Sequence, residues 1–213
     1  MCRDYIRDDF YFEECIRFTQ ERINKFEEAF KKLDDSQTEQ RRYCLEVIAG
    51  FEKNMIHLMY SAGRKKAEIA EFVSKYLDTV SQVGISSYND YVDVLSFSIL
   101  FDRVIDEEIR TDEFEDGLTE YLRTGNKESL SFLRYEEFYG IFRQYIIRSA
   151  SLSDFADYME NKWYPSCKDF SWYETHEAKG NIYVGYWSWL AAAILKKTDS
   201  KEVHIKYVPF EVI

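Results

Sequence analysis

The sequence predicts an all-α protein, a helical bundle of about eight helices in two closely packed lobes with a short extended C-terminal tail. Three observations favour this fold class. Apolar residues recur at steps of three and four over most of the chain, which is the spacing of one helix face. Only two prolines and eight glycines occur among 213 residues, so long helices are favoured. Hydrophobic residues make up 46% of the chain, as in a globular protein.

The first three helices are predicted from apolar stripes that end at polar or glycine-containing turns. The first covers residues 9–33, and its stripe has heptad-like spacing: Phe12, Ile16, Thr19, Ile23, Phe26, Phe30 and Leu33. The second begins near Thr38 and ends near Gly63. The third covers residues 65–83 and ends at Gly84. Short connections between these helices imply antiparallel neighbours.

The middle of the chain predicts a fourth helix that begins at Ser87 or Asn89. Its inner stripe consists of Tyr91, Val92, Leu95, Ile99, Val104 and Ile105. A shorter helix follows at residues 114–122, and Thr124, Gly125 and Asn126 then make the clearest break in the chain. We therefore predict an N-terminal helical lobe of residues 1–125 and a C-terminal helical lobe of residues 126–213.

The C-terminal lobe is predicted to contain three helices and the tail. The first covers residues 136–149, and the second runs from a cap at Ser153 through Trp163. The last covers residues 183–197, where four- and three-residue steps place on one buried face Tyr183, Trp187, Leu190 and Ile194. Its three consecutive alanines allow close approach of another helix. The tail from residue 203 is predicted to be extended and packed against the body.

The charge of the chain favours a protein partner. The formal net charge is −11, whereas nucleic-acid-binding proteins normally present a basic face because phosphate neutralisation supplies most of their affinity. We expect no direct nucleic-acid binding and favour a basic protein partner, with solubility as the alternative role of the charge. The first twelve residues lack the apolar region of a signal peptide, and no run approaches the ~20 apolar residues of a membrane span. We therefore expect a cytoplasmic protein that does not bind membranes.

The residue spacings that mark catalytic and metal sites are missing from the sequence. None of Cys2, Cys15, Cys44 and Cys167 forms a CxxC pair. His176 lies in a Thr-His-Glu sequence, but Gly180 occupies the place of the second histidine in a zinc HExxH motif. We predict no cofactor, no metal and no enzymatic activity. The alternative, an enzyme, would use His176 with Glu174 and Glu177.

Two stretches are candidates for contact with a partner. The first is an acidic segment whose candidate contacts are Asp102, Asp106, Glu107, Asp112, Glu113 and Glu115. Rigid carboxylates can imitate a phosphate backbone and speed encounter with a basic cleft, although charge runs are often only solvated helix faces. The second is a loop that carries Trp172, Tyr173 and His176. Loop aromatics often face a partner, and the alternative is a loop folded back over the core.

The chain resembles a known family in both of its parts. The C-terminal part is similar to the PoNi immunity-protein domain in its paired aromatics, its glycine-aromatic element, its alanine-rich helix and its tail: Trp163-Tyr164, Trp172-Tyr173 with His176, Gly185-Tyr186-Trp187-Ser188, Ala191-Ala192-Ala193 and Tyr207-Val208-Pro209-Phe210. The N-terminal part resembles the companion domain in three elements: Arg3-Asp4, Tyr11-Phe12-Glu13-Glu14 and the helix with Glu21-Arg22-Ile23 and Phe26-Glu27. The resemblance covers most of the chain.

This resemblance implies an immunity protein that binds and neutralises a cognate antibacterial DNase toxin by stoichiometric complex formation in the cytoplasm. The partner would be a PoNe-type, PD-(D/E)xK-like nuclease, often delivered by type VI secretion during competition between bacteria. Leu190 stands where relatives often carry an acidic residue. If that carboxylate contacts the toxin in relatives, the resemblance implies a different contact or a different toxin here. The alternative function is a helical scaffold or regulatory protein-binding module without a toxin partner.

Overall fold

The protein is built from α-helices, as the sequence predicts. The computed structural model describes residues 2–105, 109, 112–200 and 204–213. In these ranges no residue belongs to a β-strand, and eight α-helices are seven residues or longer. They are α1 (Asp9–Lys31), α2 (Thr38–Ser61), α3 (Lys66–Val83), α4 (Tyr88–Phe101), α5 (Gly117–Thr124), α6 (Glu136–Ile146), α7 (Leu152–Tyr158) and α9 (Trp189–Lys197), and α8 (Tyr164–Ser166) is a single turn. None of the described helices has the length and apolar character that crossing a membrane requires.

The first of two compact units contains Met1–Gly84 together with Glu174–Gly185. In it, α2 packs against both α1 and α3. The face of α1 that is buried consists of Phe12, Cys15, Thr19 and Ile23, so the predicted stripe is confirmed at three of these positions. α1 begins where the Asp8 carboxylate accepts a hydrogen bond from the Tyr11 amide.

The first unit also buries a carboxyl group. Glu52 on α2 is 3% exposed, and its Oε2 atom has no hydrogen-bond partner. Burial raises the pKa of Glu52 to about 7; Thr79 opposes the shift by hydrogen-bonding the carboxyl group. The charges of Glu27 and Asp78 raise this pKa further, and Lys75 lowers it. The carboxyl group is therefore protonated in a large share of the folded molecules at neutral pH.

Replacing Glu52 with Gln is expected to remove a pH-dependent loss of stability. Because the folded-state pKa of about 7 exceeds the ordinary 4.5, the folded protein retains a proton that the unfolded chain has released. The free energy of unfolding therefore falls as pH rises through this window. Urea denaturation should give E52Q an advantage of about 1–3 kcal/mol over the wild type at about pH 8, and less at about pH 5. The exposed Glu71→Gln variant is the control, and a pH-independent difference at Glu52 would contradict the prediction.

The second unit contains Ile85–Tyr173 together with Tyr186–Ile213 and is organised around α9. All residues from 189 to 195 in this helix are buried, and α9 packs against α4 and α6. The ring centroid of Trp189 lies 5.1 Å from that of Phe97 and 6.5 Å from that of Phe101. The alanine-rich helix therefore belongs to the core, as predicted.

The start of α9 corrects the sequence prediction of a helix over residues 183–197. The helix begins at Trp189, where the Ser188 hydroxyl accepts a hydrogen bond from the Ala191 amide. Gly185 has a φ of 102°, which lies outside the range of an α-helix. The prediction that Tyr183 and Trp187 share a helix face with Leu190 and Ile194 is therefore wrong.

Near the acidic segment, the prediction that the stripe of α4 continues to residue 105 is wrong, and the next predicted helix has different bounds. α4 ends at Phe101 because Asp102 adopts the left-handed conformation, with a φ of 53°. Val104, predicted to point inward, is 93% exposed. The short helix predicted over residues 114–122 is present as α5, which begins three residues later, and a 3-10 turn, Asp112–Phe114, precedes it.

The remaining boundaries differ by a few residues from the predicted ones. Ser151, not Ser153, caps α7 in a capping box with Asp154. Helical backbone continues from α7 through a π-helical turn, Met159–Trp163, into α8. The tail is not extended throughout, since Phe210–Val212 forms a 3-10 turn. The predicted lobe boundary after residue 125 falls within the second unit and stays a prediction.

Candidate partner-binding surfaces

Two of the predicted acidic contacts are engaged within the second unit. The Asp102 carboxylate accepts a hydrogen bond from the Lys196 ammonium at 2.8 Å, although 77% of its side chain is exposed. Glu115 accepts a hydrogen bond from the Tyr91 hydroxyl at 3.2 Å and forms an ion pair with Arg123 at 3.4 Å. These contacts stabilise the end of α4 and the start of α5, so both carboxylates have a structural role.

Two other predicted acidic contacts, Asp112 and Glu113, lie on the 3-10 turn before α5 and are exposed. Asp106 and Glu107 lie outside the described residues. Contact of the exposed carboxylates of the turn with a partner stays a prediction.

A buried carboxylate, Asp116, follows the turn and is not among the predicted contacts. Asp116 is 8% exposed. Its carboxylate accepts five hydrogen bonds. They come from the Tyr88 hydroxyl at 2.8 Å, from the amides of Arg134 at 2.8 Å, Leu118 at 2.9 Å and Thr119 at 3.0 Å, and from the Thr119 hydroxyl at 3.3 Å. The Asp-Gly-Leu-Thr sequence is the local signal that could have identified this capping box.

Asp116 and its neighbours also place a short segment that carries exposed aromatic side chains. The Gly117 amide donates a hydrogen bond to the Phe132 carbonyl at 3.0 Å. The Arg134 guanidinium donates to the Glu113 carbonyl and lies 5.7 Å from the ring centroid of Tyr88. Phe132 is 66% exposed. Backbone contacts therefore bring residues 132–134 beside the acidic turn.

Trp172 and Tyr173 lie in an aromatic cluster of the second unit. Trp172 stacks against Trp163, with ring centroids 5.8 Å apart. Tyr173 stacks against Tyr164 at 4.7 Å, and the Tyr164 ring also lies 4.7 Å from that of Tyr186. Trp172 and Tyr173 are only partly exposed, so this part of the loop packs against aromatic neighbours. Contact with a partner at their exposed edges stays a prediction.

His176 belongs to the first unit, so the predicted trio of Trp172, Tyr173 and His176 is divided between the units. The His176 carbonyl accepts a hydrogen bond from the Arg7 guanidinium at 2.5 Å. The Tyr183 hydroxyl in the same segment donates to the buried Asp4 carboxylate at 2.6 Å. These bonds anchor the segment that carries His176, and its role in partner binding stays a prediction.

The titratable groups of the described residues do not assemble a metal or nucleophilic site. No group of three or more potential metal-ligating side chains occurs in this part of the chain. Burial raises the pKa of the Cys167 thiol to about 12, which is the opposite of an activated cysteine. Burial lowers the pKa of His57 to about 3, so its imidazole is neutral at pH 7.

Comparison with family models matches nearly the whole chain. The model of the PoNe immunity protein (PoNi) N-terminal region matches residues 3–110, and the C-terminal model matches residues 111–210. The chain belongs to the PoNi family of immunity proteins. Its role is therefore immunity, and as a family member it is not an enzyme. Neither the comparison with curated proteins nor the comparison with solved structures returned a match.

Substitution of Gly117 tests how the acidic turn and the aromatic segment are joined. A Cβ atom at Gly117 would lie 2.1 Å from the Ser129 carbonyl oxygen and 2.5 Å from that of Phe132. Because both are backbone atoms, the chain must shift to admit a methyl group, and Gly117→Ala should lower the free energy of unfolding by about 1–3 kcal/mol. Urea denaturation measures this change. The control is Gly50→Ala in α2, where no atom lies within 4 Å and alanine should stabilise the helix by about 0.5–1 kcal/mol. Unchanged stability at Gly117 would contradict this packing.

Proposed function

We propose that this protein neutralises a PoNe-type DNase toxin by forming a stoichiometric complex with it. The observation that carries the proposal is the match of both PoNi family models, in order, to residues 3–210. In this proposal the toxin is a PD-(D/E)xK-like nuclease that a competing bacterium delivers, often by type VI secretion. The complex forms in the cytoplasm, before the toxin reaches DNA.

The charge distribution supports this proposal. The second unit carries 21 of the 39 acidic residues but only 13 of the 28 basic ones, which gives it a formal charge of −8 out of −11. A DNase needs a basic cleft because its substrate is a polyanion. An acidic unit is attracted to such a cleft over several ångströms, which speeds encounter. We therefore place toxin contacts on Asp112 and Glu113, together with Asp106 and Glu107 from the sequence.

A survival assay tests the proposed function. Cells that express the toxin encoded next to this gene should survive when this protein is co-expressed and die with an empty vector. A catalytically inactive toxin is the control for toxicity. The two purified proteins should elute together in size-exclusion chromatography at equal stoichiometry. If neither survival nor a complex were observed, the toxin proposal would fall and the scaffold or regulatory alternative would replace it.

Charge reversal tests the acidic contacts. The Asp112→Lys and Glu113→Lys double variant should slow association with the inactive toxin by about tenfold at low salt, because exposed charges at the edge of an interface act mainly on the association rate. It should also reduce the dependence of that rate on ionic strength. Stopped-flow or surface plasmon resonance measurements give both quantities.

The matched control reverses two exposed carboxylates of the first unit, Glu21 and Glu71. This variant has the same net charge but leaves the acidic turn intact. If the two double variants slowed association equally, only net charge would matter, and the assignment of Asp112 and Glu113 would be wrong.

A further inference from the structure

The second unit presents two large aromatic side chains to solvent on anchored backbone. Phe132 is 66% exposed and Tyr135 is 50% exposed. Their segment is held at both ends. The Phe132 carbonyl accepts a hydrogen bond from the Gly117 amide, and the ring centroids of Tyr135 and Tyr88 lie 5.1 Å apart. Between these two residues, the Arg134 amide donates a hydrogen bond to the Asp116 carboxylate. An exposed aromatic pair on anchored backbone loses little conformational freedom on binding, which favours an interaction surface.

Carboxylates surround this aromatic pair. Exposed acidic side chains precede it on the 3-10 turn at Asp112 and Glu113, and others follow it at the start of α6. Two guanidinium groups also lie here: Arg134 contacts the Glu113 carbonyl and the Tyr88 ring, and Arg143 pairs with Glu136. The four exposed carboxylates Asp112, Glu113, Glu136 and Glu137 outnumber them. The surface therefore combines an apolar centre with a negatively charged edge, which is the arrangement of a protein interface with a polar rim.

The charge of this surface decides what can cover it. A second copy of the chain would place like-charged edges opposite each other in a two-fold contact, and such a contact is unfavourable. A basic partner with an apolar recess can pair with the carboxylates and bury the aromatic rings. On the proposed function, the basic cleft of the DNase toxin has this chemistry.

The first unit also exposes aromatic side chains, at Tyr5, Phe10, Phe18 and Tyr43, but its net charge is much smaller. Phe10 and Phe18 lie on one face of α1 and are 74% and 39% exposed. The Arg22 guanidinium lies 5.1 Å from the ring centroid of Phe18, and this unit has nearly balanced charge, with 18 acidic and 15 basic residues. Charge complementarity with a basic partner therefore favours the second unit.

We propose that Phe132 and Tyr135 are the anchor residues of the toxin-binding surface, which insert into an apolar recess beside the basic cleft of the toxin. Asp112 and Glu113 lie at the edge of this surface and accelerate association. The inference rests on the proposed function and names the surface through which that function operates. Aromatic anchors slow dissociation, whereas charges at the edge change association, so the two sets have different kinetic signatures.

The experiment measures binding of single variants to a catalytically inactive form of the toxin encoded next to this gene. Phe132→Ala and Tyr135→Ala should each weaken the complex by about 30-fold or more, mainly through faster dissociation. Phe132→Tyr keeps the aromatic ring and should bind within about threefold of the wild type. Phe10→Ala, which removes an exposed phenylalanine from the first unit, is the matched control and should leave the dissociation rate unchanged. Because Phe132 is exposed, its alanine variant should keep the wild-type Tm.

Each outcome separates the surface from the function. If the wild type binds the toxin and protects cells, but Phe132→Ala and Tyr135→Ala bind equally well, this surface assignment is wrong and the proposed function stands. If Phe10→Ala weakens binding as much as Phe132→Ala, the contact lies elsewhere and the assignment is also wrong. If the wild type itself neither binds nor protects, both proposals fall.

Discussion

The second unit depends on one buried carboxylate. Asp116 accepts hydrogen bonds from the Tyr88 hydroxyl of α4, from two amides in the first turn of α5 and from the Arg134 amide before α6. A buried carboxylate is tolerated only when hydrogen bonds replace its hydration. Five donors meet this requirement here, the fifth being the Thr119 hydroxyl. The same bonds fix three chain segments around one carboxylate. The exposed turn and the exposed aromatic pair are both positioned by this constraint.

Lysine side chains stabilise the C-terminal ends of two other helices in the second unit. Lys196 on α9 donates a hydrogen bond to the Leu100 carbonyl at the end of α4, and Lys197 donates to the Leu122 carbonyl near the end of α5. The last carbonyls of a helix lack partners within it and attract cations. Consecutive lysines of α9 thus bind carbonyl groups at the ends of two other helices, α4 and α5. The same helix, α9, therefore supplies both buried core residues and the lysines that bind these carbonyls.

A protein that acts by binding needs a rigid surface of the right chemistry, not a cluster of activated groups. The cysteine and histidine with large pKa shifts are shifted towards their neutral forms by burial. The features that project from the second unit are instead carboxylates and aromatic rings on anchored backbone. This division agrees with membership of an immunity family whose members are not enzymes. It also explains why motif searches of the sequence yield the family but no catalytic site.

The sequence by itself determined the helical class, the helices of the first unit and the buried alanine-rich helix. Apolar residues at helical spacing form one face that must be buried, whichever element it packs against. It also identified the exposed carboxylates Asp112 and Glu113. Only the tertiary structure decided that Tyr183 leaves the helix pattern, since its hydroxyl pairs with the distant Asp4. It likewise decided the roles of Asp116 and Phe132. The hydrogen bonds that Asp116 accepts from Arg134 and Tyr88 span 18 and 28 residues, and the exposure of Phe132 depends on the neighbours those bonds bring close. The spacing of residues along the chain reveals neither these long-range hydrogen bonds nor the exposure of Phe132.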